Sequence, residues 1–406
     1  MKNILLIANN TVGSGMSGGD RIWINFIRYW GKRSGIRFMG SKEAVDMLKR
    51  EQIDEIPVNI IISDENNIPY NLNSLLSLLR FQIKRIFKGI KSAYNNLELI
   101  NSSEFVYSAS DFYPDFLTAF FIKIMNKKIK WIVGYYLIAP FPMNNRTPYI
   151  GKHRLKGFIY WLMQRPSLYI TRHFADYVFV TSEPDINNFI SRKITPSKVV
   201  VVKGGIDLKS SEDYIKKIGI IPLEERKYDA CFVGRLHVQK GIFELIDIWN
   251  IVNKKIGGIK LAIIGDGELK EEMEDVINRY HLNNYVDILG FLDGEDKYDV
   301  FRNSKIILHP AIYDSGGMAM AEGMVFGLPG ISFNLEALNT YYPKGVLKIP
   351  CFELEMYADV IIKLIKDREY YEKFSKEAYE YAKTWDWEKR TYDIFRHISD
   401  INSSRN

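Results

Sequence analysis

Apolar positions in the first half of the chain alternate between short continuous runs and longer stretches with helical spacing. "NILLIAN" (3–9), "IRFMG" (36–40), "EFVYSAS" (104–110), "KWIVGYYL" (130–137) and "DYVFVTS" (176–182) are strand-length runs rich in β-branched and aromatic residues. Between them, patterns such as "RIWINFIRYWGKR" (21–33) repeat their apolar residues every three or four positions. Buried strands alternating with helices predict a parallel α/β sheet.

The pattern restarts after residue 205. "KVVVVKGGIDL" reads as a strand closed by a Gly-Gly turn, and the polar, irregular "SSEDYIKKIGIIPLEERK" (210–227) reads as a linker. Strands "YDACFVG", "KLAIIG", "VDILG" and "KIILHP" then alternate with helices "GIFELIDIWNIVNKK", "GELKEEMEDVINRY" and one near "EDKYDVFRNS". A final helical stretch breaks near Trp385–Trp387. The expected organisation is an N-terminal domain over 1–205, a second over 206–386, and a last helix, 387–406, that completes the first.

The 406 residues are 47% apolar, enough for two cores. Two cysteines cannot build a disulfide framework, and Cys231 in "DACFVG" reads as a small buried hydrophobe. No apolar run reaches bilayer-spanning length, and no signal peptide is evident, so a cytoplasmic protein is expected. The net charge of +6 conceals an asymmetry: residues 1–205 carry 28 Lys and Arg against 15 Asp and Glu. The first half should face something anionic.

Four loops carry candidate chemistry. "GSGMSG" (13–18) matches a dinucleotide fingerprint, but it begins five residues beyond the strand, and the next strand lacks the terminal acid that would hold a ribose. It reads instead as a glycine loop that lets a ligand approach backbone, with Gly18 and Gly19 at its end. In "FVGRLHVQKG" (232–241), Gly234 ends a strand, and Arg235 and Lys240 follow before a helix. Two cations at a helix start oppose the macrodipole unless an anion completes the site. "AIIGDGEL" places Gly265 and Asp266 at the end of another strand. "HPAIYDSGGMAMAEGMVFGLPG" (309–330) sets Asp314 before a Ser-Gly-Gly turn and Glu322 inside an apolar helix. The amides near Gly316, Gly317 and Met318 would suit a phosphate. A buried carboxylate such as Glu322 needs partners, which ribose hydroxyls, backbone or a lysine could supply.

Together these residues resemble GT-B glycosyltransferases of the large retaining family 4. The resemblance rests on the acid at 314, the Glu eight residues on at 322, "FGLPG" after them, "VGRLHVQKG", "IIGDGEL", "KVVVVKGGID" and "TWDWEKR". It implies two Rossmann-like domains facing each other across a cleft and transfer of a sugar from a nucleoside-diphosphate sugar with retention. By the resemblance, Arg235 and Lys240 neutralise the diphosphate, the amides near Gly316–Met318 hold the distal phosphate, Glu322 binds the ribose, and Asp314 faces the sugar. Gly18 and Gly19 would lie beside donor and acceptor. No metal or cofactor is implied. Where the family often has His, Tyr135 and Tyr136 stand, and the first acid is Asp where it is usually Glu. An epimerase or hydrolase on the same fold, or a non-catalytic nucleotide-sugar-binding protein, are the alternatives.

One stretch bears on the acceptor. "SLLSLLRFQIKRIFKGIK" (74–91), set on a helix, gathers Leu75, Leu76, Leu79, Ile83, Ile86, Phe87 and Ile90 on one side, with Phe81 the one apolar residue on the other. Arg80, Lys84, Arg85, Lys88 and Lys91 fall on the other, and a second basic, aromatic stretch, including Lys152 and Lys156, follows at 151–172. The expectation is an apolar side turned to the core and a cationic side, Arg80, Lys84, Arg85 and Lys88, turned to solvent or to an anionic membrane. A lipid-linked or cell-envelope glycan acceptor at the inner face of the cell membrane follows, with no nucleic-acid partner.

Overall fold

The structure, a computed structural model, describes residues 3–13, 16–53, 58–65, 75–143 and 154–403. Lys152 and the side chain of Lys156 lie outside the described residues. The chain divides into two compact units, one of residues 1–142, 155–204 and 388–406, the other of 143–154 and 205–387.

The first unit is a seven-stranded parallel sheet. Its strands are β1 (Asn3–Ala8), β2 (Gly35–Ser41), β3 (Val58–Asp64), β4 (Phe105–Ser108), β5 (Lys130–Gly134), β6 (Tyr177–Val180) and β7 (Val199–Val201), in the order β3-β2-β1-β4-β5-β6-β7. Its helices are α1 (Gly18–Trp30), α2 (Lys42–Arg50), α3 (Leu75–Asn95), α4 (Leu97–Asn101), α5 (Tyr113–Met125) and α6 (Arg154–Phe174). The second unit holds α7 (Leu208–Ile218), β8 (Tyr228–Val233), α8 (Ile242–Ile256), β9 (Leu261–Ile264), α9 (Lys270–Arg279), β10 (Val286–Gly290), α10 (Gly294–Arg302) and β11 (Ser304–His309). It continues through α11 (Met318–Met324), β12 (Gly330–Phe333), α12 (Glu336–Tyr341), β13 (Val346–Ile349), α13 (Leu354–Lys366) and α14 (Arg368–Ala382). Its six parallel strands run β10-β9-β8-β11-β12-β13. Every residue of β4, β6, β9 and β12 is buried, as sheets covered on both faces require.

A last helix, α15 (Trp387–Ser403), returns to the first unit, where the Trp30 indole donates to the Thr391 carbonyl at 2.9 Å. Three strands lacked a legible signal: β3, β12 and β13 are short or open on one side. The segment read as a linker is helical over Leu208–Ile218. Asp207 caps it by accepting the Ser210 amide at 3.0 Å, and Tyr214 is buried against Tyr298 and Phe326.

Helix α3 is turned opposite to expectation. It buries Phe81, Gln82 and Arg85. The Arg85 guanidinium forks onto both oxygens of Glu43 at 2.8 Å, approaches Asp64 at 3.4 Å and donates to the Asn9 carbonyl at 3.1 Å. Lys88 pairs with the same Asp64. Two carboxylates from α2 and β3 thus draw the Arg85 charge inward, because a planar guanidinium can satisfy both at once. Arg85 is therefore no surface contact, and Lys88 is engaged; Arg80 and Lys84 remain exposed. The displaced apolar residues Leu76, Leu79, Ile83 and Phe87 lie outside.

Candidate nucleotide-sugar site

The sheet of the second unit changes direction between β8 and β11, so the loops leaving these strands part at their carboxyl ends. Open α/β sheets bind ligands at such a point. The first loop carries Arg235, exposed, and Lys240, in the single turn that precedes α8. Gly241 has φ +66°, and a Cβ there would stand 1.9 Å from the Pro310 carbonyl oxygen, so glycine is what lets this loop rest on the end of β11. The Ile312 amide donates to the Gln239 carbonyl at 3.0 Å and fastens the two loops together.

That junction brings Lys240 to Asp314, and the two form an ion pair through Asp314 Oδ2. His309 Nε2 lies 2.9 Å from the same oxygen. Asp314 Oδ1 accepts the amides of Ser315, Gly316 and Gly317 at 2.7, 3.2 and 3.3 Å. Burial alone would raise the Asp314 pKa. Lys240 and His309 outweigh it and hold the carboxyl well below its usual range. The glycine amides expected to point at a phosphate are thus engaged by Asp314. The glycines themselves are needed by their neighbours. A Cβ on Gly316 would come 2.8 Å from the Tyr341 ring, and one on Gly317 2.7 Å from His309 Nε2. Met318, half-buried, begins α11.

Glu322 is largely buried on α11, and its partner is Lys297 of α10. Lys297 Nζ lies 3.1 Å from Glu322 Oε2 and 2.7 Å from Asp293 Oδ1, with only 4% of the lysine side chain exposed. This cation offsets the cost of burying a carboxylate in an apolar helix. Lys297 and His309 are the two site residues missed in the sequence. His309 ends a legible strand just before Pro310 and could have been flagged. Lys297 sits in "EDKYDVF", which looks like any solvated helix face.

On the other side of β8, a Cβ on Gly265 would lie 1.9 Å from the Gly234 carbonyl oxygen, so these two turns touch. Asp266 is exposed; its carbonyl accepts the Leu236 amide at 2.9 Å, and its carboxylate accepts the Gly267 amide at 2.8 Å. Gly234, Arg235, Lys240, Gly265, Asp266, Asp314, Gly316, Gly317 and Met318 therefore all sit on three neighbouring loops at one sheet edge.

In the first unit, the sheet changes direction between β1 and β4. Gly18 and Gly19 open α1, where Ser17 and Asp20 form a reciprocal cap. Residues 14 and 15 of that loop lie outside the described residues. A Cβ on Gly19 would be 3.6 Å from the Tyr136 ring, and the Tyr136 hydroxyl meets that of Tyr107. Tyr136 therefore borders the glycine loop. Tyr135 does not: its side chain is fully buried against Phe189, with its hydroxyl 3.3 Å from the Gln164 carbonyl oxygen. Alternation along an extended chain sends successive side chains to opposite faces, and only one of the pair can face a ligand.

Two buried acids also gather at this edge. Asp115 accepts the amides of Asn9 and Asn10, the latter at 2.9 Å, and the Ser110 hydroxyl. Asp111 accepts the Gln164 amide at 2.8 Å. Burial pushes both up to about 7, against the pull of those donors.

Residues 213–381 match the family described as glycosyl transferases group 1. The chain is 31% identical over 160 residues to an amylovoran biosynthesis glycosyltransferase of Erwinia amylovora, a stretch that covers 39% of this chain and 44% of that protein. It is 25% identical over 170 residues to a poly(glycerol-phosphate) alpha-glucosyltransferase of Bacillus subtilis, covering 41% and 25%. The chain thus matches about half or less of the length of these relatives. Solved structures align over nearly the whole chain. An Anabaena protein in complex with UDP and glucose superposes with a TM-score of 0.68 at 15% identity, covering 98% of this chain and 100% of that one. Sucrose-phosphate synthase from Thermosynechococcus elongatus gives 0.70 at 15% identity, covering 100% of both. The fold is GT-B. The family match spans every residue placed at the switch point of the second sheet, from Gly234 to Glu322. The first unit lies outside that match.

Proposed function

We propose that the protein is a glycosyltransferase that takes a sugar from a nucleoside-diphosphate sugar, with retention of configuration, and passes it to a lipid-linked or cell-envelope glycan at the inner face of the cell membrane. The observation that carries the reading is the cationic pair Arg235 and Lys240 at the switch point of the second sheet, within the matched stretch and beside the Asp314 and Glu322 carboxylates. A UDP complex and a UDP-glucose complex among the structural neighbours support a nucleotide-sugar donor.

In this reading Arg235 forks onto the diphosphate, and Lys240 shares its charge between Asp314 and the leaving phosphate. As the anomeric carbon–oxygen bond breaks, negative charge grows on the phosphate, and the two cations stabilise it. The acceptor hydroxyl oxygen forms the new bond to the anomeric carbon and passes its proton to the departing phosphate oxygen, which leaves as the nucleoside diphosphate. Asp314, kept ionised, accepts sugar hydroxyls, and Glu322, steadied by Lys297, accepts those of the ribose. Turnover without a divalent metal is part of the proposal. Activity lost to EDTA and restored by Mg2+ would refute that part. Arg235→Ala should weaken UDP far more than uridine, by roughly 1.5–3 kcal/mol in calorimetry. Equal losses for the two would remove the diphosphate assignment. Product analysis with and without acceptor separates transfer from epimerisation or hydrolysis.

A further inference from the structure

Helices α3, α5 and α6 form one layer on the first unit's sheet. Thr118 of α5 lies against Gly89 of α3, where a Cβ would stand 2.4 Å from the threonine hydroxyl. Phe120 of α5 packs edge-on against Phe174 of α6 at 5.1 Å, and the Tyr113 hydroxyl donates to the Met163 carbonyl at 2.6 Å. Right-handed crossovers from β3 to β4, β4 to β5 and β5 to β6 also put these three helices on one face.

The outer side of this layer is apolar. On α3, Leu76, Leu79, Ile83 and Phe87 recur at helical spacing, and Phe87 is 71% exposed. On α6, Leu155, Phe158, Leu162 and Tyr169 do the same, Leu155 being 68% exposed. Ile124 and Met125 end α5 between them, also exposed. Scattered apolar residues need no explanation, but stripes on two helices of one layer do.

The charges carried by α3 and α6 themselves are of one sign. Neither α3 nor α6 contains an Asp or Glu. Arg80, Lys84 and Lys91 are exposed along the flank of the α3 stripe, and Arg165 lies over the Trp161 ring on α6. The acid of α5, Asp115, is buried on the inner side, and Lys123 is tied to Asp176. A protein partner would be met by apolar residues and cations alone. An anionic bilayer offers both complements, hydrocarbon for the stripes and headgroups for the flank.

We propose that the outer face of the α3–α5–α6 layer lies in the surface of an anionic lipid bilayer, with Leu79, Ile83, Phe87, Leu155 and Leu162 entering the headgroup boundary and Arg80, Lys84 and Lys91 meeting lipid phosphates. This rests on the proposed transfer to a lipid-linked acceptor for its purpose, and on the helix layer alone for its geometry. It replaces the cationic face expected from the sequence with an apolar one edged by cations.

The test is co-sedimentation of the full chain with vesicles of phosphatidylcholine alone or mixed with phosphatidylglycerol. Binding should require phosphatidylglycerol and fall with added salt. Ile83→Ser with Phe87→Ser, and separately Leu155→Ser with Leu162→Ser, should each lower the bound fraction about tenfold or more. Both pairs remove exposed apolar area and should leave thermal unfolding and UDP binding unchanged. Arg80→Glu with Lys84→Glu should abolish the preference for phosphatidylglycerol. No sedimentation with the mixed vesicles, or Ser variants that bind like the parent, overturns the inference. So does a parent dimer that the Ser variants dissolve in light scattering, which assigns the face to self-association. UDP binding and sugar transfer to a soluble acceptor, measured on the same proteins, report the transferase reading separately, since neither needs vesicles.

Discussion

At the switch point of the C-terminal sheet, the buried carboxylate Asp314 lies between Lys240 and His309 and is held ionised. At the switch point of the N-terminal sheet, Asp115 and Asp111 are as deeply buried, but among the described residues neither has an ion-pair partner, and burial pushes both up to about 7. The two sheets share the same topological device and use opposite electrostatics. A diphosphate needs fixed positive charge where it lands, and in the proposed function Arg235 and Lys240 are that charge. Uncharged sugar hydroxyls need neutral donors and acceptors, and Asn10, Ser110, Gln164 and the two acids are of that kind. On the proposed function, the contrast separates a donor side from an acceptor side.

The largest expected effect comes from breaking the donor side. Lys240→Met would leave Asp314 buried beside His309 without its lysine. Loss of one partner from a buried pair costs about 3–5 kcal/mol, read by denaturant unfolding at pH 8. Arg235→Ala, at an exposed position with no ion pair among the described residues, should leave stability within about 0.5 kcal/mol of the parent while weakening UDP. Equal stability losses for the two variants would erase the distinction between a structural cation and a ligand-facing one.

Next in size is Lys297→Met. It should cost about 2–3 kcal/mol of stability, because Glu322 keeps its burial and loses its cation. Its signature in binding differs from that of Arg235. If Glu322 reads the ribose, UDP and uridine should weaken alike, since both carry the ribose. A loss confined to UDP would move Lys297 to the phosphates.

These two lysines mark what the sequence disclosed and what it hid. Lys240 was legible, because a strand, a Gly-Arg-Leu and a Lys-Gly stand together in one loop, where chemistry follows local spacing. Lys297 was not, because its value lies in reaching a carboxylate on another helix. The helix α3 was misread for the same reason. Its apolar side was assigned inward by amphipathicity, yet Glu43 of α2 and Asp64 of β3 claim Arg85, and two long-range carboxylates outweigh the local pattern. The strands β1, β2 and β4–β11 were legible as apolar runs. β12 and β13, four residues each, offered too little pattern to separate from loops. "SSEDYIKKIGIIPLEERK" was taken for a linker because only Tyr214 of its helix is a large buried residue.

A third effect divides the two acids by pH. Asp314 has a depressed folded pKa, so its contribution is fully present above its unfolded value near 3.8 and is lost as pH falls through the folded one. Asp111 has a raised folded pKa. Its contribution is full below about 3.8 and is lost as pH rises through about 7. Asp111→Asn keeps an acceptor for Gln164 without an ionising proton. It should flatten the decline in stability between pH 4 and 7 and gain roughly 1–3 kcal/mol over the parent at pH 8. An unchanged slope in urea unfolding across that range would mean that Asp111 ionises as freely in the folded state as in the unfolded one.

The smallest effect belongs to a tyrosine of the first unit. Tyr136 borders Gly19, shares a hydrogen bond with Tyr107, and stands where the resembled family often has His. Removing its hydroxyl in Tyr136→Phe leaves the Tyr107 hydroxyl buried with one partner fewer, worth roughly 0.5–1.5 kcal/mol of stability. The stability change alone would show only a structural bond. The informative readout is the split between kcat and KM. If Tyr136 touches the transferred sugar, kcat should fall several-fold with UDP affinity unchanged, because the proposed function gives the nucleotide to Arg235 and Glu322. If the hydroxyl only braces Tyr107, kcat should stay at the parent value while the thermal midpoint drops. A weakened UDP affinity would contradict both, since it would place a nucleotide contact on the side assigned to the acceptor.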